Sequence, residues 1–191
     1  GALGQLAGVK TNDDVITIES LLDEMIDRDP VARFPENNFR LKQRSSYSRE
    51  SKTPDDPEGW FMNHDFNRSP QDKNFIRIEE TGGQKEWVLM DHEGAGAIVR
   101  TWMPFRSVPE NSLIRFYFDG AQQPAIEGNV CTLLNGTGLI PYPLAHSSLL
   151  SAVSFFPIPY AKRCKVTVTQ PPFFFQFTFR EYAEGTSVKT F

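Results

Sequence analysis

The segment from Gln43 to Asp65, QRSSYSRESKTPDDPEGWFMNHD, gathers hydroxyl, guanidinium, aromatic, amide and carboxylate side chains in a stretch too rich in Pro, Asp and Gly to be simple core. Ser45, Ser46, Tyr47, Ser48 and Arg49 set hydroxyls beside a guanidinium, and Trp60, Asn63, His64 and Asp65 follow the Pro/Asp/Gly run. Carbohydrate recognition needs these groups: planar donors and acceptors for the hydroxyls, and an aromatic face for the apolar side of the ring. A structural reading stands beside it. The same residue types turn any surface loop, and Trp60-Phe61 would also serve as a hydrophobic plug at the end of a β-sandwich.

Other chemistries find no support. There is no Gly-x-Ser-x-Gly elbow and no Walker-type loop, and His64, His92 and His146 are too scattered to read as a metal motif. No metal or cofactor is expected, and each lone histidine reads as a surface residue. Carboxylates are plentiful, among them Glu79, Glu80, Asp91, Glu93, Asp119, Glu127 and Glu184, but spacing along strands and loops does not say which two would face one glycosidic bond. A formal charge of −4 and a pI of about 5.4 leave no basic footprint for nucleic acid. No run approaches the length of a membrane span, and the first residues, GALGQLAGVK, lack the basic and apolar regions of a secretion signal. Cys131 and Cys164 could form one disulfide in an oxidising compartment, but they lie in no metal or redox spacing and the favoured reading is two separate buried thiols.

The elements that must position the loop are mostly strands. Thr17 is a plausible N-cap for one amphipathic helix, with Ile18, Leu21, Leu22, Met25 and Ile26 on one face and Pro30 as its stop. That helix reads as a cap on a sheet or an arm to a neighbouring subunit. From Phe75 onward the period changes to two, and strands are expected near Phe75–Glu79, Lys85–Met90, Ala97–Met103, Leu113–Phe118, Ser151–Pro159, Lys165–Thr169 and Phe173–Glu181. Thr81-Gly82-Gly83-Gln84 is a hairpin turn and Gly94-Ala95-Gly96 a tight turn. Ala121–Ser148, with its glycines and prolines, reads as a long loop over one end. The expected fold class is all-β, a jelly-roll β-sandwich with an N-terminal helix, organised as an extension over 1–16 and a single domain over 17–191.

Taken in order, TIESLLDEMIDRD, QRSSYSR, GWFMNHD, EWVLMDHEGAGAIVRTW, IRFYFDG and FFPIPYAKRCKVTV with FRxY resemble the N-terminal half of glycoside hydrolase family 172, formerly domain of unknown function 2961. The resemblance covers Thr17 to Phe191. It implies the first of two tandem jelly rolls, a homo-oligomer (trimer or hexamer), a retaining reaction on α-linked fructofuranose- or arabinofuranose-type furanosides, and export to the periplasm or beyond a bacterial cell. Two departures stand out. The family's catalytic glutamates belong to the second half, and the Gly-x-Glu-Asp-Tyr type segment has no counterpart here, so this chain alone is expected to lack the catalytic pair. Ser48 also stands where a carboxylate is usual in the Ser-Ser-Tyr-Asp-Arg pattern. The expected sugar-binding residues are Ser46, Arg49, Trp60, Asn63 and Asp65: Arg49 and Asp65 hold hydroxyls through charge-assisted hydrogen bonds, Ser46 and Asn63 fix register, and Trp60 stacks. A non-catalytic carbohydrate-binding or assembly module is the other reading. Arg100 and Arg115 read as structural, and the Phe173–Phe179 strand with Phe155-Phe156 reads as an apolar face through which chains associate.

Overall fold

A computed structural model describes residues 15–35, 38–50, 52–55, 65, 74–104 and 111–191. Helix α1 (Ile18–Ile26) forms where the apolar periodicity places it. The Ser20 amide donates to the Thr17 hydroxyl and the Thr17 amide to the Ser20 hydroxyl, a reciprocal cap that satisfies two donors left over at the helix start. Pro30 is not the stop. The backbone already turns extended at Asp27, and Pro30 lies in the following 3-10 turn, Asp29–Ala32.

Among the described residues the strands are β1 (Val15–Ile16), β2 (Phe39–Ser45), β3 (Arg77–Thr81), β4 (Gln84–Glu93), β5 (Gly96–Pro104), β6 (Leu113–Phe118), β7 (Ile126–Asn129), β8 (Ala145–Ser148), β9 (Ser151–Ser154), β10 (Ile158–Tyr160), β11 (Arg163–Val168), β12 (Gln176–Tyr182) and β13 (Ser187–Val188). One antiparallel sheet runs β2-β12-β5-β9-β8, with β10 also on β5, and the other runs β3-β4-β11-β6-β7. β2 pairs with β12, β4 with β11, β5 with β9 and β6 with β7, so each pair nests inside the previous one along the chain. Nested antiparallel pairs that alternate between two sheets are a wound ribbon, the jelly roll.

The core lies between the sheets, where Leu89, Met90, Ile98, Ile114, Phe116, Val166, Phe175, Phe177 and Phe179 interdigitate. Phe175, Phe177 and Phe179 therefore do not form the association face that their apolarity suggested; they are fully buried, because alternate residues of β12 must fill the space opposite the second sheet. Phe155, by contrast, stays exposed. A second cluster of Ile16, Leu21, Ala97, Tyr182 and Val188, joined by Phe39 and Val99, lies where α1 and β1 cover the outer side of the larger sheet. There the Arg180 guanidinium sits 4.5 Å from the Phe39 ring and 2.7 Å from Glu24, fastening helix to sheet.

Two further expectations are corrected. The Ser151–Pro159 strand is broken into β9 and β10, which pair with successive parts of β5 on either side of Phe155-Phe156-Pro157. The Ala121–Ser148 segment is not a bare loop: it holds β7, helix α2 (Val130–Leu134) and β8. The Asn129 side chain caps α2 by accepting from the amides of Cys131 and Thr132, and Val130, Leu133, Leu134 and Ile140 close one end of the sandwich. β2 escaped notice because arginine, lysine and glutamine occupy most of its positions. Cys131 and Cys164 are not joined by a disulfide; Cys164 is buried as expected, whereas Cys131 is only half-buried.

Candidate functional site

The candidate loop leaves β2 at Ser46 and returns to the sandwich at Asn74. Ser46 is buried, and both of its backbone-facing groups engage Phe175: its amide donates to the Phe175 carbonyl at 3.2 Å and its hydroxyl accepts from the Phe175 amide at 3.3 Å. This extends the β2–β12 ladder by one residue beyond Ser45 and fixes where the loop starts. Arg49 is held by the chain rather than by a carboxylate. Its guanidinium donates to the carbonyls of Tyr47 at 2.7 Å and Asn74 at 3.3 Å and lies 4.2 Å from the Tyr47 ring centroid, while its amide donates to the Asn74 side chain. Desolvation lowers its pKa, with the nearby charge of Arg44 acting in the same direction, yet a guanidinium keeps its proton at any working pH.

Ser48 is buried and its hydroxyl has no hydrogen-bond partner. Asp65 is half-buried, and no ion pair joins it to Arg49 among the described residues. Trp60 and Asn63 lie outside the described residues. The structure thus brings Ser46 and Arg49 to one end of β2, with Ser46 turned into the fold and Arg49 outward.

Sequence reasoning missed two polar networks. The first covers the outer face of the five-stranded sheet. Glu86 accepts from Arg115 at 2.6 Å, from Tyr117 and from Thr167; Glu127 holds the other side of Arg115; Asp91 accepts from Arg77 and Arg163; and Glu79 accepts from Arg77 and Lys165. Arg115 is structural, as its position in a strand suggested, and Arg100 donates to Gln176 within its own sheet. Burial pushes Glu79, Glu86 and Asp91 upward, but the hydrogen bonds they accept outweigh it and leave all three below the usual carboxylate range. Burial and Glu86 together push Tyr117 up to about 12. Such carboxylates are firmly ionised, the opposite of what a general acid requires. A small pocket of about 150 Å³ opens beside this network, lined by Glu79, Tyr117, Gln122, Arg163 and Lys165.

The second network joins the two sheets. His92 is buried on β4, not a surface residue, with Nδ1 at 2.9 Å from the Tyr160 hydroxyl and Nε2 at 3.1 Å from Glu181, which also pairs with Lys42 at 2.8 Å. Both ring nitrogens of His92 thus have a hydrogen-bonding partner. The signal lay in periodicity, since His92 falls on the inward side of β4, two residues after buried Met90. His146 on β8 is half-buried between the rings of Tyr142 and Phe155.

Comparison with curated proteins gives no match for this chain. A family model described as the GH172 first beta-sandwich domain matches residues 37–191, which takes in the sandwich from just before β2 to the last residue and includes the whole candidate loop. This match, over most of the chain and the whole of the sandwich from β2 onward, leads to one conclusion: the chain belongs to glycoside hydrolase family 172, as its first β-sandwich domain.

Proposed function

We propose that this domain forms the sugar-positioning wall of an enzyme acting on α-linked furanosides of the fructofuranose or arabinofuranose type. Arg49 and Asp65 bind sugar hydroxyls, Ser46 sets the register of the loop by anchoring it to Phe175, Asn63 adds an amide contact and Trp60 supplies the stacking face. The observation that carries this reading is Arg49: a charged fork pinned by two carbonyls and a tyrosine ring, with its charge matched by no carboxylate among the described residues. Oriented donors with unspent charge are what a hydroxyl or carboxylate ligand needs. The catalytic glutamate pair is supplied outside this domain, a reading supported by the downward shifts and ion pairing of Glu79, Glu86 and Asp91. The protein works as a homo-oligomer, a trimer or hexamer, in an exported, periplasmic or secreted setting.

The test is binding and hydrolysis by the full-length protein. Arg49→Ala and Asp65→Ala should each weaken furanoside binding by about 1.5–3 kcal/mol, the worth of a hydrogen bond to a charged group, with little change in melting temperature. If neither α-fructofuranosides nor α-arabinofuranosides are bound or cleaved, the proposal fails. The same ionised carboxylates also favour a second reading, a binding module with no chemistry of its own, which binding without hydrolysis by the full-length protein would select.

A further inference from the structure

Four cations of the five-stranded sheet are matched: Arg77, Arg115, Arg163 and Lys165 each touch a carboxylate. The edge of the other sheet differs. β2 pairs only with β12 among the described strands, and its residues Arg40, Lys42 and Arg44 stand opposite Glu181, Phe179 and Phe177. Directly opposed residues of an antiparallel pair project to the same side, so these three cations share the core-facing side of the sheet with Phe177 and Phe179. All three are nonetheless exposed. Lys42 reaches Glu181, whereas Arg40 and Arg44 touch no carboxylate among the described residues. Arg49 follows just beyond the end of β2, close enough to Arg44 for the two charges to repel, and Ser48, the residue before it in the chain, has a buried hydroxyl with no hydrogen-bond partner.

A row of unmatched guanidinium groups in a chain of net charge −4 is not a general consequence of composition. Arg40 to Arg44 spans about 13 Å of extended strand, longer than one sugar ring, and runs into the site proposed above. Guanidinium forks bind carboxylates with two parallel hydrogen bonds, a geometry that a neutral hydroxyl does not reproduce. Nucleic acid fits poorly, since an acidic chain with so narrow a basic strip offers few phosphate contacts.

We infer that the exposed cations of β2, leading to Arg49, receive the carboxylates of a uronate-bearing glycan, so that the furanoside bound by this domain is one carried on an acidic saccharide. The inference rests on the furanoside reading of the Arg49 site and adds the charge of the rest of the ligand.

The experiment is calorimetric titration of the full-length protein with an oligogalacturonate, with its methyl ester, and with a neutral arabinofuranoside oligomer, at low and at raised salt. The acid should bind at least tenfold more tightly than its ester, and the difference should shrink with salt. Arg40→Gln combined with Arg44→Gln should abolish the preference for the acid, and a melting curve checks that this variant is folded. Equal binding of acid and ester overturns the inference and needs no variant to show it; so does a preference that survives the double substitution in a folded protein. If the neutral furanoside binds while the acid gains nothing, only this inference fails. If none of the three saccharides binds, the furanoside reading fails with it, and tighter binding to an oligonucleotide than to the uronate would assign the strip to another partner.

Discussion

Glu86 shows how one residue can be charged, nearly buried and still stabilising. Three donors from β6 and β11, the Arg115 guanidinium and the hydroxyls of Tyr117 and Thr167, converge on it, so its loss leaves several polar groups without their acceptor. Breaking a buried ion pair from one side costs about 3–5 kcal/mol, and Glu86→Ala should lower stability by about that amount in urea denaturation. Arg49 poses the contrary case: its contacts are local carbonyls, and its substitution should register in ligand binding. The two variants separate scaffold charge from site charge on otherwise similar arginine-rich surfaces. Gly96 is a third residue whose identity is dictated by a neighbour. An added Cβ would strike the Tyr160 hydroxyl and the Arg180 carbonyl, so Gly96→Ala should destabilise by about 1–3 kcal/mol, read as a lower melting temperature.

Helix α1 and strand β2 are both elements at the border of the sandwich, and they differ in what holds them. α1 contributes Leu21 to a cluster with Ile16, Tyr182 and Val188, while Met25 and Ile26 remain exposed, so the helix is anchored by its first turns. Leu21→Ala is expected to cost about 2–5 kcal/mol, and Thr17→Ala, which removes the cap, about 1 kcal/mol. Denaturation of both variants measured together checks the ranking. β2 is held by its ladder to β12 and by the Ser46–Phe175 hydrogen bonds, with its charged side chains left in water. Charges on an exposed edge also discourage pairing with stray strands, so the strip serves solubility as well as the ligand role inferred for it.

At the scale of the molecule, the depressed carboxylates set the response to acid. Glu79, Glu86 and Asp91 have folded-state pKa values below their unfolded values of about 3.9–4.3. A lowered acid stabilises the fold above the unfolded pKa and loses that contribution as pH falls through the folded one. Stability should therefore hold down to about pH 4 and decline steeply below it, as followed by thermal melts across a pH series. Glu86→Gln with Asp91→Asn should flatten that decline from a lower starting stability. A profile independent of pH between 2 and 5 would mean that these ion pairs contribute nothing.

The period-two patterning of β4, β5, β6, β11 and β12 and the capped periodicity of α1 were legible in the sequence because each depends on neighbours a few residues away. The family resemblance was legible for a related reason, since several short motifs in one order survive without any knowledge of their contacts. The tertiary structure alone decided the nested pairing that makes the sandwich a jelly roll, because β2 meets β12 across most of the chain and no local pattern encodes that partner. It also decided that the phenylalanines of β12 face the core, that His92 is buried between Tyr160 and Glu181, and that α2 seals the sandwich end. Whether an arginine is spent or unspent is of the same kind. Arg115 and Arg44 look alike in sequence, and only the tertiary placement of carboxylates, with Glu86 at 2.6 Å from Arg115 and none against Arg44 among the described residues, sets one to hold the fold and leaves the other facing solvent.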